Sequence, residues 1–597
     1  MTRSTESQFD WRAFLVRWSG EWADGPGEGD GAARRARWLG SVPAGEERIA
    51  AMERRLGVRM PPSYREFLAV SDGWRHAGGF VRLLAGTADA HWHDDASGLS
   101  EVFEGYVDED SGPGQRREAG IWRRGLRLDV ESDATYVLMD PEDVGEGGEW
   151  AVYTWAGWRA APPERFADFG AFMRDMHREF HRLRARPGEG EPPFVNGTTR
   201  ALDALVEGAR RQALRGDWEG ALAALDEAAG YGRPRAAGLG DQIRRLLGRT
   251  HRVSFADLVT DPLYAAEFGP VAAAGGTVRP AGGEAYRYTA AGVFGEAVVR
   301  ARERARWGDT DGAWRALREA LSRWEPPGPD HLAPLGWLAD PLLGPLLTPA
   351  RGRELLSTAR GGEAGRTPAP TAGLDPDGLA WLADPDGGGG ESYRFVLVEG
   401  VEPWELPGRL GAGDALEAPL CAGEARMRAV RGRGEASSHE DGPVVAVGRA
   451  GGRWSFAFDG AGGPFDRRRF VSPAAAASAG TRAVVVWSGL RAGEAFFHLS
   501  VARDGAGQYA FTFADGEVRV DGRVPAALDP ARFFAGGAGR AGAERSLLEA
   551  VAGEFGVRLP RHALVHGRLH TFTARSWIRP ARAGEAYTVI RFRGAGG

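Results

Sequence analysis

The chain has 597 residues, a net charge of −6 and hydrophobic residues at 43% of positions, enough for three or four packed domains. All 75 basic residues are arginine, and Cys421 is the single cysteine. The lack of lysine excludes a P-loop, a lysine Schiff base and a kinase-type Lys–Glu pair, and the lone thiol excludes an internal disulfide and a cysteine-cluster metal site.

Residues 1–40 are predicted to hold a short amphipathic helix followed by a glycine-rich acidic stretch. The helix has an apolar face because aromatic and aliphatic residues recur at Phe9, Trp11, Phe14, Leu15 and Trp18. We expect this segment to dock within the chain, with docking on a partner as the alternative. No apolar signal core and no run of about 18–20 apolar residues is present, which favours a cytoplasmic protein without a membrane span.

The next predicted elements are two helices joined by a rigid turn, at residues 48–74. The first ends at Gly57, where a helix C-terminal cap is expected, and Pro62 suits the first turn of the second. Apolar residues at helical spacing give each helix one buried face: Ile49, Met52 and Leu56, then Tyr64, Phe67 and Leu68.

This pattern resembles the opening of the SMI1/KNR4 family, part of the SUKH superfamily. The residues that match its motif are Glu53, Leu56-Gly57, Met60-Pro61, Tyr64, Phe67-Leu68 and Gly73, with Met60 in place of the usual leucine. Later landmarks also match: a central strand at 136–141, a tryptophan-rich strand at 150–158 and a closing helix at 166–180. The resemblance covers roughly residues 41–180. It implies an α+β domain at 41–185 that binds proteins, commonly as an immunity protein that blocks a toxin, and it brings no catalytic residue.

The same region is acidic. Residues 41–180 hold 16 arginines and 26 acidic residues, a net charge of −10. Such a domain would be steered toward a basic partner, although solubility alone also explains an acidic face. The predicted partner-binding residues are two aromatic anchors and an acidic run: Trp74, Trp92, Glu101, Glu104, Asp108, Glu109 and Asp110.

His91 and His93 would face the same side of a strand and could reach one metal ion. No third ligand is fixed by spacing, so a polar loop is the preferred interpretation.

Residues 186–200 are predicted to be a linker, and 201–365 a helical region. Two segments repeat there, at 216–228 and 308–320. Each has a Gly-Asp turn followed by apolar residues at offsets of +5, +9 and +12, which resembles a tetratricopeptide repeat. A second element recurs at 255–262, 335–341 and 379–385 as a short helix that stops before proline. We expect divergent helical repeats with a protein-binding surface, or a structural helical spacer.

After a linker at 366–392, residues 393–597 are predicted to form an α+β domain with an antiparallel sheet. Its strands lie near 444–447, 454–458, 483–487, 496–499, 509–513, 569–573 and 587–592, and a helix covers 544–554. Its motifs lie at 452–456, 478–481, 504–505, 513 and 529–530. They resemble an uncharacterised actinobacterial domain over about 400–565, which implies no activity.

Two further patterns in this domain resemble ligand sites, but their sequence context does not favour a bound metal or nucleotide. His562, His566 and His570 are spaced for one helix face, but Gly567 favours a helix-to-strand exit over a metal site. Residues 537–542 match a dinucleotide loop, yet no strand precedes them and no acidic residue follows at the required distance.

The sequence therefore predicts a multidomain, non-enzymatic, cytoplasmic protein that binds a protein partner. The partner would be a basic toxin domain, with no cofactor, nucleic acid or membrane involved. The first alternative is a scaffold or regulator that binds partners through its helical middle region, and the second is an enzyme of unrecognised type sited in the C-terminal α+β domain.

Overall fold

The computed structural model describes residues 9–25, 30–186, 190, 192–249, 269–274, 286–384, 392–413, 415–432, 442–460, 469–491, 494–514, 516–534, 540–580 and 582. The chain forms two compact units. Unit 1 comprises residues 1–210 and 219–240, and unit 2 comprises residues 211–218 and 241–597. Within the described ranges, none of the helices combines the length and apolar character that a bilayer span demands.

The described residues at the start of unit 1 form seven α-helices and eight strands. The helices are α1 (Trp11–Asp24), α2 (Gly31–Ala36), α3 (Glu46–Leu56), α4 (Pro62–Val70), α5 (Leu99–Glu104), α6 (Pro113–Arg124) and α7 (Phe169–Leu183). The strands are β1 (Trp74–Arg75), β2 (Val81–Leu84), β3 (His91–Trp92), β4 (Leu126–Arg127), β5 (Asp129–Ser132), β6 (Thr135–Val144), β7 (Trp150–Ala156) and β8 (Glu164–Phe166). Helices α8 (Gly197–Leu214), α9 (Trp218–Gly230) and α10 (Ala236–Leu246) contribute residues to both units.

The α3–α4 hairpin forms as predicted. Gly57 ends α3 with a left-handed φ of 75°, a conformation that glycine adopts without steric cost. Pro62 lies in the first turn of α4, and the predicted apolar residues of both helices are buried.

Unit 1 has two antiparallel sheets, in the orders β1-β2-β5 and β3-β4-β6-β7-β8. The β6–β7 pair is the long central ladder, with Leu138 opposite Tyr153 and Val137 opposite Thr154. Alternate residues of β6 enter different clusters. Val137 and Met139 join the main core, and Leu138 packs in a smaller cluster on the other face, beneath α5 and α6.

The N-terminal segment is part of the main core of unit 1. Helix α1 buries Trp11, Phe14, Leu15, Trp18 and Trp22, each with 6% or less of its surface exposed. The structure thus confirms the preferred prediction that this segment docks within the chain.

The helices of unit 2 are α11 (Gly269–Ala274), α12 (Gly292–Ala305), α13 (Thr310–Ala320), α14 (Pro349–Ser357), α15 (Leu406–Leu410), α16 (Ala422–Gly432), α17 (Ala474–Ala477), α18 (Ala531–Phe534), α19 (Arg540–Phe555) and α20 (Arg561–Val565). Its strands are β9 (Tyr393–Glu399), β10 (Glu417–Leu420), β11 (Val444–Arg449), β12 (Trp454–Asp459), β13 (Arg482–Arg491), β14 (Glu494–Arg503), β15 (Ala506–Ala514), β16 (Glu517–Gly522) and β17 (Leu569–Thr573).

The nine strands described in unit 2 join one antiparallel sheet in the order β10-β17-β11-β12-β9-β13-β14-β15-β16. The predicted antiparallel sheet is therefore present. The central strand β9 is buried on both faces, because Phe395 and Leu397 point into one hydrophobic cluster and Val396 and Val398 into another. The predicted strand at 587–592 lies outside the described residues.

The repeated Gly-Asp segments both form a turn followed by a helix. Gly216 and Gly308 have left-handed φ values of 98° and 88°, and α9 and α13 follow them. The residues at +5, +9 and +12 are buried in both copies: Ala221, Leu225 and Ala228, then Ala313, Leu317 and Ala320. However, the two apolar triplets belong to different units, so a tetratricopeptide-like array is not confirmed.

The second repeated element forms the predicted short helix before proline in both described copies. Leu335–Ala339 and Ala380–Ala383 are 3-10 helices, and the Asp-Pro pair that follows each prevents a longer helix. The copy at 255–262 lies outside the described residues.

Residues 241–365 of the predicted helical region share unit 2 with the predicted C-terminal domain. Arg449 N–H donates to the Trp307 carbonyl oxygen at 2.9 Å, and Trp381 Nε1 donates to that of Leu559 at 3.3 Å. The first bond crosses the predicted linker at 366–392, and the second joins Trp381, inside that linker, to the C-terminal domain. Residues 385–391 of this linker lie outside the described residues.

Candidate functional site

An apolar groove opens on the surface of unit 1 between α5, α6 and the turn that follows β7. Its volume is about 540 Å³. Two of its lining residues are strongly exposed, Val102 at 51% and Tyr106 at 78%. The remaining lining residues are mostly apolar: Leu99, Phe103, Val107, Gln115, Glu118, Ala119, Trp155, Ala160, Ala161 and Pro162. We call this surface the α5–α6 groove.

Aromatic packing holds the floor of the groove. The Phe103 ring stacks on Trp122 at 5.2 Å and meets the Trp155 ring edge-on at 5.7 Å. Trp155 Nε1 donates to the carbonyl oxygen of Ala161 at 3.1 Å, and this bond fixes the turn after β7 that forms one wall of the groove. The floor is therefore rigid, whereas Val102 and Tyr106 project from it toward solvent.

A buried ion pair holds α6 against the sheet. Arg124 donates from Nε and Nη2 to the two oxygens of Asp140, at 2.7 and 2.6 Å. Asp140 has no exposed surface. Two parallel charge-assisted hydrogen bonds fix both the distance and the orientation of the two side chains. They therefore hold α6, which forms one wall of the groove, in place.

The predicted acidic run lies along the groove. Glu101 and Glu104 are on α5, and Asp108, Glu109 and Asp110 follow in the next turn; all five are exposed. Arg123 donates to both oxygens of Glu104 at 2.5 and 2.7 Å, and these bonds lower the pKa of Glu104. Across the described ranges, the other four carboxylates form no ion pair with arginine, so the run keeps most of its negative charge.

The two predicted aromatic anchors lie in different environments. Trp92, on β3, is 38% exposed, and its Nε1 donates to the carbonyl oxygen of Leu56 at 3.2 Å. The structure places Trp74 in the core instead of on the surface. It has no exposed area and packs against the rings of Trp18 and Trp38. A partner cannot reach it in this conformation, which corrects the prediction.

The predicted histidine patterns do not gather metal ligands. Strand β3 ends at Trp92, so His91 is exposed while His93 packs between the rings of Trp122 and Tyr136. His562 lies on α20 and His570 on β17, and their ring nitrogens lie 2.7 and 2.8 Å from backbone carbonyl oxygens of Pro345 and Glu417. The helix-to-strand exit predicted for this segment is present. Of the glycine-rich loop at 537–542, residues 537–539 lie outside the described residues.

One cluster of possible metal ligands was missed by the sequence analysis. Glu21 of α1 meets His177 and His181 of α7, and one donor atom of each lies within 4.8 Å of the others. Burial alone would raise the pKa of Glu21, but hydrogen bonds from both histidines and Thr198 outweigh it and lower that pKa to about 2. The i,i+4 spacing of the two histidines was the available signal, but Glu21 is too distant in sequence to be linked to them.

Comparison with known proteins relates part of unit 1 to a protein family. No curated protein and no solved structure gives a significant match. Residues 43–175 match the model of the SMI1 / KNR4 family (SUKH-1). The matched residues run from just before α3 into α7, and they include the α5–α6 groove and the acidic run. The N-terminal region of the chain thus carries a domain of the SMI1 / KNR4 family (SUKH-1), as its helix-hairpin motif predicted.

Proposed function

We propose that the SMI1/KNR4 domain binds a basic protein, a toxin domain in the first instance, and blocks it by covering its surface. The observation that carries the proposal is the apolar groove with an acidic run beside it, inside the family-matched region. The family's association with immunity proteins supports the toxin as partner. In this function the chain is not an enzyme and acts in the cytoplasm.

The groove and the acidic run would have different roles. Exposed carboxylates steer a basic partner and raise the rate of association, and this effect weakens as salt increases. Tyr106 and Val102 would supply apolar contact area over the rigid floor of Phe103 and Trp155. Aromatic residues in such positions often carry much of the binding free energy.

The test is binding of the full chain to basic nuclease toxin domains encoded in the same genome. Association rates and affinities would be measured at low and high salt. We expect Asp108→Asn, Glu109→Gln and Asp110→Asn together to weaken binding about tenfold at low salt, mainly through slower association. We expect Tyr106→Ala to speed dissociation instead.

A matched control neutralises three exposed acidic residues elsewhere in the domain: Glu47→Gln, Asp133→Asn and Glu146→Gln. This triple variant should bind like the parent chain. Equal losses in both triple variants would mean that net charge alone matters, and no binding to any basic toxin domain at low salt would reject the proposed function.

A second candidate function is a scaffold that uses the helical part of unit 2. A cavity of about 280 Å³ on the α12–α13 hairpin has one acidic lining residue, Glu319, and four arginines: Arg300, Arg304, Arg315 and Arg323. This basic surface suits an acidic partner, unlike the α5–α6 groove. A partner whose binding is lost in an Arg315→Glu, Arg323→Glu variant and kept in the acidic-run variant would favour the scaffold.

A further inference from the structure

Three side chains from two helices converge inside unit 1. Nε2 of His177 lies 2.8 Å from Glu21 Oε2, and Nε2 of His181 lies 3.0 Å from the same oxygen. The side chains of both histidines are 1% exposed and that of Glu21 is 9% exposed. Two imidazole nitrogens and a carboxylate oxygen are a donor set that binds first-row divalent metals.

The histidines are held in the orientation that such a site requires. They are four residues apart on α7, so both rings leave the same face of the helix, as in helical zinc sites. Their rings meet edge-on, with centroids 4.8 Å apart. Both Nε2 atoms thus lie next to the same carboxylate oxygen of Glu21.

The surroundings supply an outer shell on the carboxylate side. Thr198 Oγ1 donates to Glu21 Oε1, the oxygen that the histidines leave free. Aromatic rings enclose the imidazoles: Phe14, Trp18, Phe180, Phe194 and Tyr231. A hydrogen bond that orients a ligating carboxylate and an apolar shell that limits water access are common around metal ions in proteins. The Nδ1 atoms of both histidines have no hydrogen-bond partner within the described ranges, so this outer shell is confined to the carboxylate.

We propose that Glu21, His177 and His181 bind a divalent transition-metal ion, with Zn²⁺ as the best fit. Ligand bonds of 2.0–2.2 Å in a tetrahedral site place neighbouring donor atoms about 3.3 Å apart. The present nitrogen-to-oxygen distances need to lengthen by only about 0.3–0.5 Å to admit the ion. The ion would replace two hydrogen bonds by metal bonds, leaving a fourth position for water or the second carboxylate oxygen.

The site would link the N-terminal segment to the closing helix. Glu21 precedes the family-matched residues 43–175, and both histidines follow them. The ion would therefore join the N-terminal segment, which lies outside the family match, to the part of α7 that follows the match. This inference is independent of the proposed toxin binding, since neither the groove nor the acidic run contributes a ligand.

The first experiment measures metal content in the purified full chain after dialysis against metal-free buffer. We expect about one zinc ion per chain, and visible ligand-field bands when Co²⁺ is titrated into the zinc-free protein. X-ray absorption of the zinc-loaded chain should show two imidazoles and no sulfur. A chain that takes up neither ion, or a spectrum with sulfur ligands, would overturn the proposal and leave a purely hydrogen-bonded cluster.

Variants provide the second test. Glu21→Gln and the pair His177→Gln, His181→Gln should each weaken Co²⁺ binding by at least about a hundredfold, because they remove ligands themselves. His91→Gln, at an exposed histidine outside the cluster, is the control and should bind like the parent chain. A folded double-histidine variant that keeps its metal would place the ion elsewhere. If that variant does not fold, the spectrum of the parent chain still decides.

Discussion

The burial of His498 makes the unfolding free energy of unit 2 depend on pH. It lies on β14 with 5% of its surface exposed, and its Nδ1 is 2.8 Å from Thr512 Oγ1. The ring of Phe470 packs edge-on at 4.6 Å. Burial disfavours the charged imidazolium and lowers the pKa of His498 to about 3.

The sign of the effect follows from where the proton binds. Between pH 3 and about 6.5 the unfolded chain protonates this histidine and the folded chain does not. This histidine leaves the unfolding free energy unaffected by pH above about 6.5 and lowers it by about 1.4 kcal/mol for each pH unit from there down to about pH 3. We expect His498→Gln to flatten the fall in unfolding free energy of unit 2 between pH 6.5 and 4.5, as measured by urea titration. His91→Gln, at an exposed site, should leave the slope unchanged; an unchanged slope in His498→Gln would contradict the prediction.

At the scale of elements, the α3–α4 hairpin depends on a single backbone conformation. Gly57 has a φ of 75°, and a Cβ atom there would meet nothing within 4 Å, so only backbone strain opposes a side chain. Gly57→Ala should therefore lower the unfolding free energy of unit 1 by about 1 kcal/mol. Gly114, in α6, also has open space around it but lacks a positive φ. Gly114→Ala should stabilise by up to about 1 kcal/mol, and changes of the same sign would contradict this account.

Elements with local signals were predictable from the sequence. The hairpin carries its own cap glycine, its own proline and apolar residues at helical spacing, so no distant contact is needed to recognise it. The acidic run was also predictable as a surface, since five carboxylates in ten residues seldom find partners for burial. In contrast, Trp74 follows Gly73 in a segment with no periodicity, and only its packing against Trp18 and Trp38 shows that it is buried.

Features that need distant contacts could not be predicted. The α5–α6 groove requires residues of β7 and the following turn to lie beside two helices, and no local pattern contains that information. The cluster of Glu21 with His177 and His181 joins residues 156 and 160 positions apart. Local spacing restricts which side chains share a face, but tertiary packing decides which faces meet.

At the scale of the whole molecule, the N-terminal segment is an essential part of unit 1 although it precedes the family-matched residues. Five large side chains of α1 are buried, and burial of each contributes about 1.5–3 kcal/mol. Their sum is comparable with the total stability of about 5–15 kcal/mol of a typical domain. We expect a chain lacking residues 1–40 to lose the cooperative thermal unfolding of unit 1, monitored by near-UV circular dichroism. A chain lacking only residues 1–8 is the control, and equal unfolding midpoints for both would show that α1 is dispensable.

The order of the nine-stranded sheet has a consequence for how the protein is made on the ribosome. Strand β10 pairs with β17 alone among the described strands, and β17 also covers one edge of β11. Roughly 150 residues separate β10 from β17, which corresponds to about 7–30 s of translation at 5–20 residues per second. During that interval β10 lacks its neighbour and β11 has an open edge, because β17 has not yet been made. The sheet of unit 2 can therefore be completed only after β17 has been synthesised, and until then its open strand edges are free to pair with other chains.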